Sequence, residues 1–312
     1  MKTAFIFPGQ GAQYIGMAMD FVKANPAYEE ILKDFDTKHN TNLYSIMQDG
    51  PVEALKETRF TQPAILFHSV VAMRAFKEKY NLEPIFVAGH SLGEITSLVA
   101  NNVLSLEDAM HLVHKRGEFM IKANEGKPFA MAAIIGADAE VIKAKCAEAS
   151  EIGLVKPANF NTPVQTVISG SEEGVAKACE LIKEAGAKRV VPLVVGGPFH
   201  TPLIEKAGFW LAEEMNKIQF SSTNIPVVSN VDAKSATQPE VIRENLAKQV
   251  TSSVLWVDCV NHMIDEGVEL FVEFGPKVLG GMIKKIDRKK KVLSVDKVED
   301  IDKVISELES LC

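Results

Sequence analysis

Cysteine is scarce in this 312-residue chain: four residues, at 146, 179, 259 and 312, lie far apart with no C-x-x-C pair. That spacing argues against a disulfide framework or a zinc site and suits a reducing compartment. No apolar run approaches the ~18 residues that cross a bilayer. Lys2 precedes only the short run Ala4-Phe5-Ile6-Phe7 before Pro8-Gly9, too little for the apolar region of a signal peptide. A positive surplus is missing as well, with 34 Lys and Arg against 41 Asp and Glu and a formal net charge of −7. Nucleic acid and anionic membranes are therefore not expected as main partners. Internal repeats and low-complexity segments are absent. The expectation is a cytoplasmic protein with no export signal and no metal or other cofactor.

What remains is an ordinary globular composition, 46% hydrophobic and 24% charged, long enough for one large domain or two. Thr3 to Phe7 reads as a buried strand ended by Pro8-Gly9. Helical spacing covers Pro26 to His39 and Pro63 to Tyr80, the latter opened by its proline. Ile85 to Ala88 reads as a strand and is followed by another apolar helix through Ala100. Such alternation predicts an α/β fold with a parallel sheet between helices. Near Gly126 the pattern changes to strand Phe129–Ile135, helix Asp138–Ala149, strands Leu154–Asn159 and Thr166–Ser169, helix Glu172–Ala185 and strand Arg189–Val195. That βαββαβ order is ferredoxin-like. It predicts a small domain at 127–195 inserted into a large one at 1–126 and 196–312.

Gly89-His90-Ser91-Leu92-Gly93 fits G-x-S-x-G between a predicted strand and a predicted helix, the setting of a nucleophile elbow. A tight turn there pushes the Ser91 hydroxyl outward and aims the next helix's amides at any negative charge formed beside it. The plain alternative is a strand–helix turn that merely needs glycine. A nucleophilic serine requires a base. Of seven histidines, His39, His111 and His114 fall on predicted polar helix faces, and His68 and His262 read as surface or core-edge residues. His200 differs, because it follows Gly196-Gly197-Pro198-Phe199 where the small domain returns to the large one, a favoured place for a cleft residue.

Ser105-Leu106-Glu107-Asp108 has capping-box form and opens a helix to about Lys122. Leu106, Ala109, Val113 and Met120 form its apolar stripe, and Arg116 falls within that stripe. A core-facing guanidinium needs an anionic partner. A structural salt bridge or a snorkelling side chain satisfies this as well as a fork for a substrate carboxylate does. Pro8-Gly9-Gln10-Gly11 is neither a P-loop nor a dinucleotide fingerprint. It suits either backbone brought close to a ligand or a simple turn.

Taken together these segments resemble the malonyl-CoA:acyl carrier protein transacylase family. The resemblance rests on FPGQGAQ (7–13), TQPAI (61–65), AGHSLGE (88–94), HKRGEFM (114–120), NFNTP (159–163), GPFHTPL (197–203), KQ (248–249), Trp256 and EFGPKVLGGM (273–282), in family order along the whole chain. It implies an α/β-hydrolase-like large domain interrupted by a ferredoxin-like small one. The implied activity moves a malonyl group from malonyl-CoA to the phosphopantetheine thiol of acyl carrier protein in fatty acid biosynthesis. Separately, a monomer is expected. Carried over by position, Ser91 is the implied nucleophile, His200 its base, and the Gln10 and Leu92 N–H groups the oxyanion hole. Arg116, with Gln249 beside it, is the implied binder of the malonyl carboxylate. A backbone carbonyl near Gln249 is implied to hold the histidine. Val250-Thr251-Ser252-Ser253 departs from the Asn-Pro-like turn expected there, and Phe199 resembles the phenylalanine of malonyl-selective members.

A serine esterase or thioesterase shares the elbow, but it would place an acidic triad member between Ser91 and a late histidine, and no aspartate stands out. Lys284, Lys285, Arg288, Lys289, Lys290 and Lys291 form the densest basic run. A solvated face is the ordinary reading of such a run, and carrier docking is the other.

Overall fold

A computed structural model describes residues 1–311, so Cys312 lies outside the described residues. Among the described residues, ten strands fall into two sheets. The larger contains β1 (Thr3–Phe7), β2 (Phe86–Gly89), β7 (Val227–Val228), β8 (Ser235–Ala236), β9 (Leu270–Phe274) and β10 (Lys291–Val295), in the order β10-β9-β1-β2-β7-β8. All neighbours are parallel except β7 and β8. Every residue of β1, β2 and β9 is buried, the pattern of strands covered on both faces, which is why their sequences run apolar without alternation. The chain builds outward from β1 through β2 and then returns to place β9 on its other side. Such a reversal opens a crevice at the strands' carboxyl ends, and the turns after Phe7 and Gly89 meet there.

The second sheet holds β3 (Phe129–Ile135), β4 (Val155–Thr162), β5 (Gln165–Ser171) and β6 (Arg189–Pro192), antiparallel in the order β4-β5-β3-β6. With helices Ala139–Ala149 and Glu172–Glu184 this is the ferredoxin-like arrangement. Alternation along β3 divides its burial. Ala132 and Ile134 pack with Ile142, Val175 and Ile182 of the two helices, whereas Met131 and Ala133 join the main core. The small sheet is thus covered on both faces. Val254 holds its edge, since its N–H donates to the Ala158 carbonyl at 2.8 Å and its carbonyl accepts from the Phe160 N–H at 2.9 Å.

Three sequence expectations are corrected. The long helix runs Thr58–Lys79, starting five residues before Pro63. Proline lacks the N–H that would bond the carbonyl of residue 59, and the imidazole of His114 takes its place, with Nδ1 3.0 Å from the Arg59 oxygen. His114 is therefore buried, not on a solvated face. His68 is buried too, bonded through Nε2 to the Asp296 carbonyl at 2.7 Å. Of the basic run, Lys290 reaches the Val268 carbonyl at 2.8 Å and Lys291 pairs with Glu307 at 3.2 Å, while Lys284, Lys285, Arg288 and Lys289 are exposed. Among the described residues no helix is long and apolar enough to cross a membrane.

The His114 contact yields a stability prediction. His114→Phe strands the Arg59 carbonyl and lowers the unfolding free energy by about 1–3 kcal/mol. In a Pro63→Ala background that loss shrinks, because residue 63 regains an N–H for the same carbonyl. Urea denaturation of the four proteins in the cycle measures the coupling.

Candidate active site

Ser91 stands between β2 and the helix Leu92–Ala100 with φ 52° and ψ −103°, outside the regions an L-residue favours. Holding it there costs about 1–3 kcal/mol, and its neighbours show how the turn is enforced. A Cβ on Gly89 would sit 2.0 Å from the Gly93 carbonyl, and one on Gly93 would sit 2.1 Å from the Phe7 oxygen. Neither position admits a side chain. Asn230 clamps the elbow from below: its Oδ1 accepts the Ser91 N–H at 2.7 Å and its Nδ2 donates to the Gly89 carbonyl at 2.8 Å. His90 ties it sideways to the small sheet, with Nε2 2.8 Å from Asn161 Oδ1.

Two side chains meet at the serine hydroxyl. His200, itself at φ 61°, follows a loop fixed by Thr201 Oγ1 donating to the Pro198 carbonyl at 2.7 Å. Its Nδ1 lies 2.9 Å from the Gln249 carbonyl and its Nε2 lies 2.9 Å from Ser91 Oγ. A carbonyl only accepts, so Nδ1 carries the proton and the neutral ring's Nε2 accepts from the serine hydroxyl. Arg116 approaches from the helix Leu106–Lys122, whose N-cap Ser105 accepts the Asp108 N–H. That helix comes close to Thr58–Lys79 because Gly117 has no Cβ, which would meet Arg59 Cα and the Thr58 oxygen at 2.9 Å. Arg116 Nη2 donates to Ser91 Oγ at 2.9 Å and to Gln249 Oε1 at 2.8 Å, and Nη1 donates to Gln62 Oε1 at 2.9 Å. All three acceptors are neutral. Nε–H has no partner among the described residues.

The remaining sequence candidates lie at the rim. Gln10 is exposed in the turn after β1, its Nε2 3.3 Å from Thr58 Oγ1. That turn rests on the elbow, since a Cβ on Gly9 would stand 2.5 Å from the His90 carbonyl. Leu92 opens its helix, where an N–H has no partner within the helix. With the Ser91 N–H already engaged by Asn230, Leu92 supplies the next amide beside the hydroxyl. The segment after Gln249 makes a turn in which the Ser252 N–H also reaches the Gln249 carbonyl, at 3.3 Å.

A family model described as the acyl transferase domain matches residues 4–298. The chain is 43% identical to the malonyl CoA-acyl carrier protein transacylase of Bacillus subtilis over 98% of its own length and 97% of the relative's. The solved structure of the malonyl CoA-acyl carrier protein transacylase from Coxiella burnetii superposes with a TM-score of 0.93 at 37% identity, covering 98% of this chain and 97% of that one. A malonyl-transacylase solved in complex with its type II polyketide acyl-carrier protein superposes with a TM-score of 0.94 at 37% identity, covering 98% and 100%. The chain belongs to the malonyl CoA-acyl carrier protein transacylase family. Within that transacylase frame, the structure brings Ser91, His200, Arg116 and Gln249 together, whereas Gln10 lies exposed at the rim. Gln62, Glu94 and Asn230 were given no role. Gln62 and Glu94 lie inside the family-like stretches TQPAI and AGHSLGE, whereas no motif or spacing marks Asn230.

Burial dominates the electrostatics. It lowers the Arg116 guanidinium to about 10, still charged at neutral pH. Burial first and the Arg116 charge second lower His200 to about 3, so the ring is neutral and ready to take a proton. Glu94, enclosed beneath the elbow, is raised by burial to about 7, although hydrogen bonds from Gln249 and Asn230 oppose the shift.

For His200 the folded value lies below its unfolded 6.5, so the unfolded chain binds the proton first. The stability linked to neutral His200 is complete above 6.5 and is lost as pH falls toward 3. Urea midpoints measured across that range decline more steeply in the wild type than in His200→Gln.

Proposed function

We propose that this chain is a cytoplasmic, monomeric enzyme that transfers a malonyl group from malonyl-CoA to the phosphopantetheine thiol of acyl carrier protein through a malonyl-Ser91 intermediate, in fatty acid biosynthesis. The observation that carries this reading is one oxygen with two partners: Ser91 Oγ lies 2.9 Å from a neutral imidazole nitrogen and 2.9 Å from a buried guanidinium. The first activates a nucleophile. The second gives the site a reason to prefer an acyl group that ends in a carboxylate.

His200 Nε2 takes the Ser91 proton as Oγ attacks the thioester carbonyl, and Nδ1–H stays on the Gln249 carbonyl. The oxyanion faces the N–H groups of Gln10 and Leu92, each worth roughly 3–4 kcal/mol, and the positive end of the Leu92–Ala100 helix. Collapse breaks the carbon–sulfur bond, and His200 returns the proton to the leaving coenzyme A sulfur. The carrier thiol then attacks malonyl-Ser91 by the same steps in reverse. Arg116 holds the distal carboxylate, which adds the anionic partner that its three neutral acceptors do not supply. Phe199, buried beside the His200 loop, fits the malonyl-selective pattern. In this reading residues 1–126 and 196–312 form the catalytic domain, and residues 127–195 form an inserted wall of its cleft.

Intact mass after mixing with malonyl-CoA shows one malonyl group on the wild type and none on Ser91→Ala. Free malonate without an acylated carrier product points to a thioesterase instead. Acetyl-CoA leaves the guanidinium unpaired, a penalty of about 3–5 kcal/mol in a dry site. Arg116→Ala therefore depresses malonyl transfer and narrows the malonyl-to-acetyl preference by roughly 10²–10³-fold. An unchanged preference removes Arg116 from the substrate site.

A further inference from the structure

Beneath the elbow lies a buried acid that the transfer steps do not use. Glu94 occupies the first turn of the helix Leu92–Ala100 and is 2% exposed. Its Oε2 accepts the Asn230 N–H at 3.0 Å and Gln249 Nε2 at 2.6 Å. The Gln249 amide is thus gripped at both ends, with Oε1 on the Arg116 cation at 2.8 Å and Nε2 on the Glu94 carboxyl. The second Nε2 hydrogen goes to the Ser91 carbonyl at 2.9 Å. Turning this amide over would set its NH2 against the guanidinium and its oxygen against a carboxylate and a carbonyl, so the two charges leave one orientation. Asn230, bonded to Glu94 through its N–H, clamps both sides of the elbow peptide.

We propose that Glu94 is a positioning residue: as the buried counter-charge of Arg116, acting through the Gln249 side chain, it fixes the guanidinium, the Ser91 peptide and the carbonyl that holds His200 in one arrangement. This assignment rests on the transfer reading above. Among the described residues, the charged or titratable groups around Glu94 are Arg116, on the helix Leu106–Lys122, and Cys259, on the helix Trp256–Asp265. Burial keeps the Cys259 thiol far above its ordinary value and so uncharged. Arg116 at about 10 and His200 at about 3 do not change charge near neutrality. Glu94, at about 7, does. Protonating it removes the anion that anchors Gln249.

The experiment follows kcat/KM for malonylation of Ser91 against pH in the wild type, Glu94→Gln and Gln249→Met. The Gln249→Met variant keeps the main-chain carbonyl for His200 but has no amide. The wild type loses activity as pH falls through about 7. Both variants are slower by roughly 10²-fold, as a small misplacement of reacting groups produces, and both lack that acid limb. Ionisations of the substrate itself are common to all three proteins and cancel in the comparison. A Glu94→Gln protein with wild-type activity, or one slowed with the limb unchanged, overturns the proposal, because a purely structural acid alters yield or stability but not the limb. Should Glu94→Gln not fold, Gln249→Met decides alone, and an unchanged limb in it is equally fatal. A wild type that takes up no malonyl group defeats the transfer reading instead, so the two failures are distinct.

Discussion

The interior of this protein is organised around a positive charge taken out of water. Burying the Arg116 guanidinium carries a desolvation cost of several kcal/mol, which only well-placed acceptors offset. Here they are neutral amide oxygens from Gln62 and Gln249 and the Ser91 hydroxyl. The balancing anion, Glu94, stands one side chain further away, beyond the Gln249 amide. Had a carboxylate been placed directly on the fork, the cation would be fully paired and a substrate carboxylate would have to displace it. Spacing the two charges by an amide keeps the guanidinium charged and oriented while leaving it able to accept an anion.

The same charge acts on His200. Arg116 helps hold His200 neutral in the free protein, and a carboxylate arriving at the guanidinium screens that influence. In the proposed transfer, the imidazole thus becomes easier to protonate when a malonyl group is in place, as Ser91 gives up its proton. No acidic triad member is needed for orientation. A main-chain carbonyl at the end of the helix Pro239–Gln249 sets the tautomer, and a carbonyl cannot take the proton away.

Two sheets position these groups. Parallel β1 and β2 end at the same level, so the glycine loop and the elbow lie side by side. The small sheet gives one face to its own helices and the other to the main core, and its edge strand β4 is pinned to Val254 and, through Asn161, to His90. The turn following Gln249 is therefore anchored on one side by the helix that ends there and on the other by the inserted sheet. A loop held at both ends keeps the carbonyl opposite His200 in place although its sequence departs from the expected Asn-Pro-like turn.

Much of this was legible in the residues. Strand β1 and strand β3 coincide with their sequence readings, because each is a short run with clear apolar content next to strong turn signals. Ser91 was legible because the elbow needs glycine on both sides, and Arg116 because a charge within an apolar stripe is conspicuous. His68 and His114 were misplaced because side-chain identity says nothing about a distant carbonyl: one is buried on Asp296, the other on a carbonyl freed by Pro63. Asn230 gave no local signal and Glu94 none beyond its place in AGHSLGE, since the contacts they make exist only where four separate segments converge. Local spacing and turn chemistry thus determined many of the elements, the order of the parallel and ferredoxin-like parts, and the elbow that carries Ser91. Which oxygen faces Arg116, which carbonyl fixes His200 and which acid balances the buried cation were decided by tertiary contacts, because those partners lie far apart along the chain and only packing brings their atoms within hydrogen-bond reach.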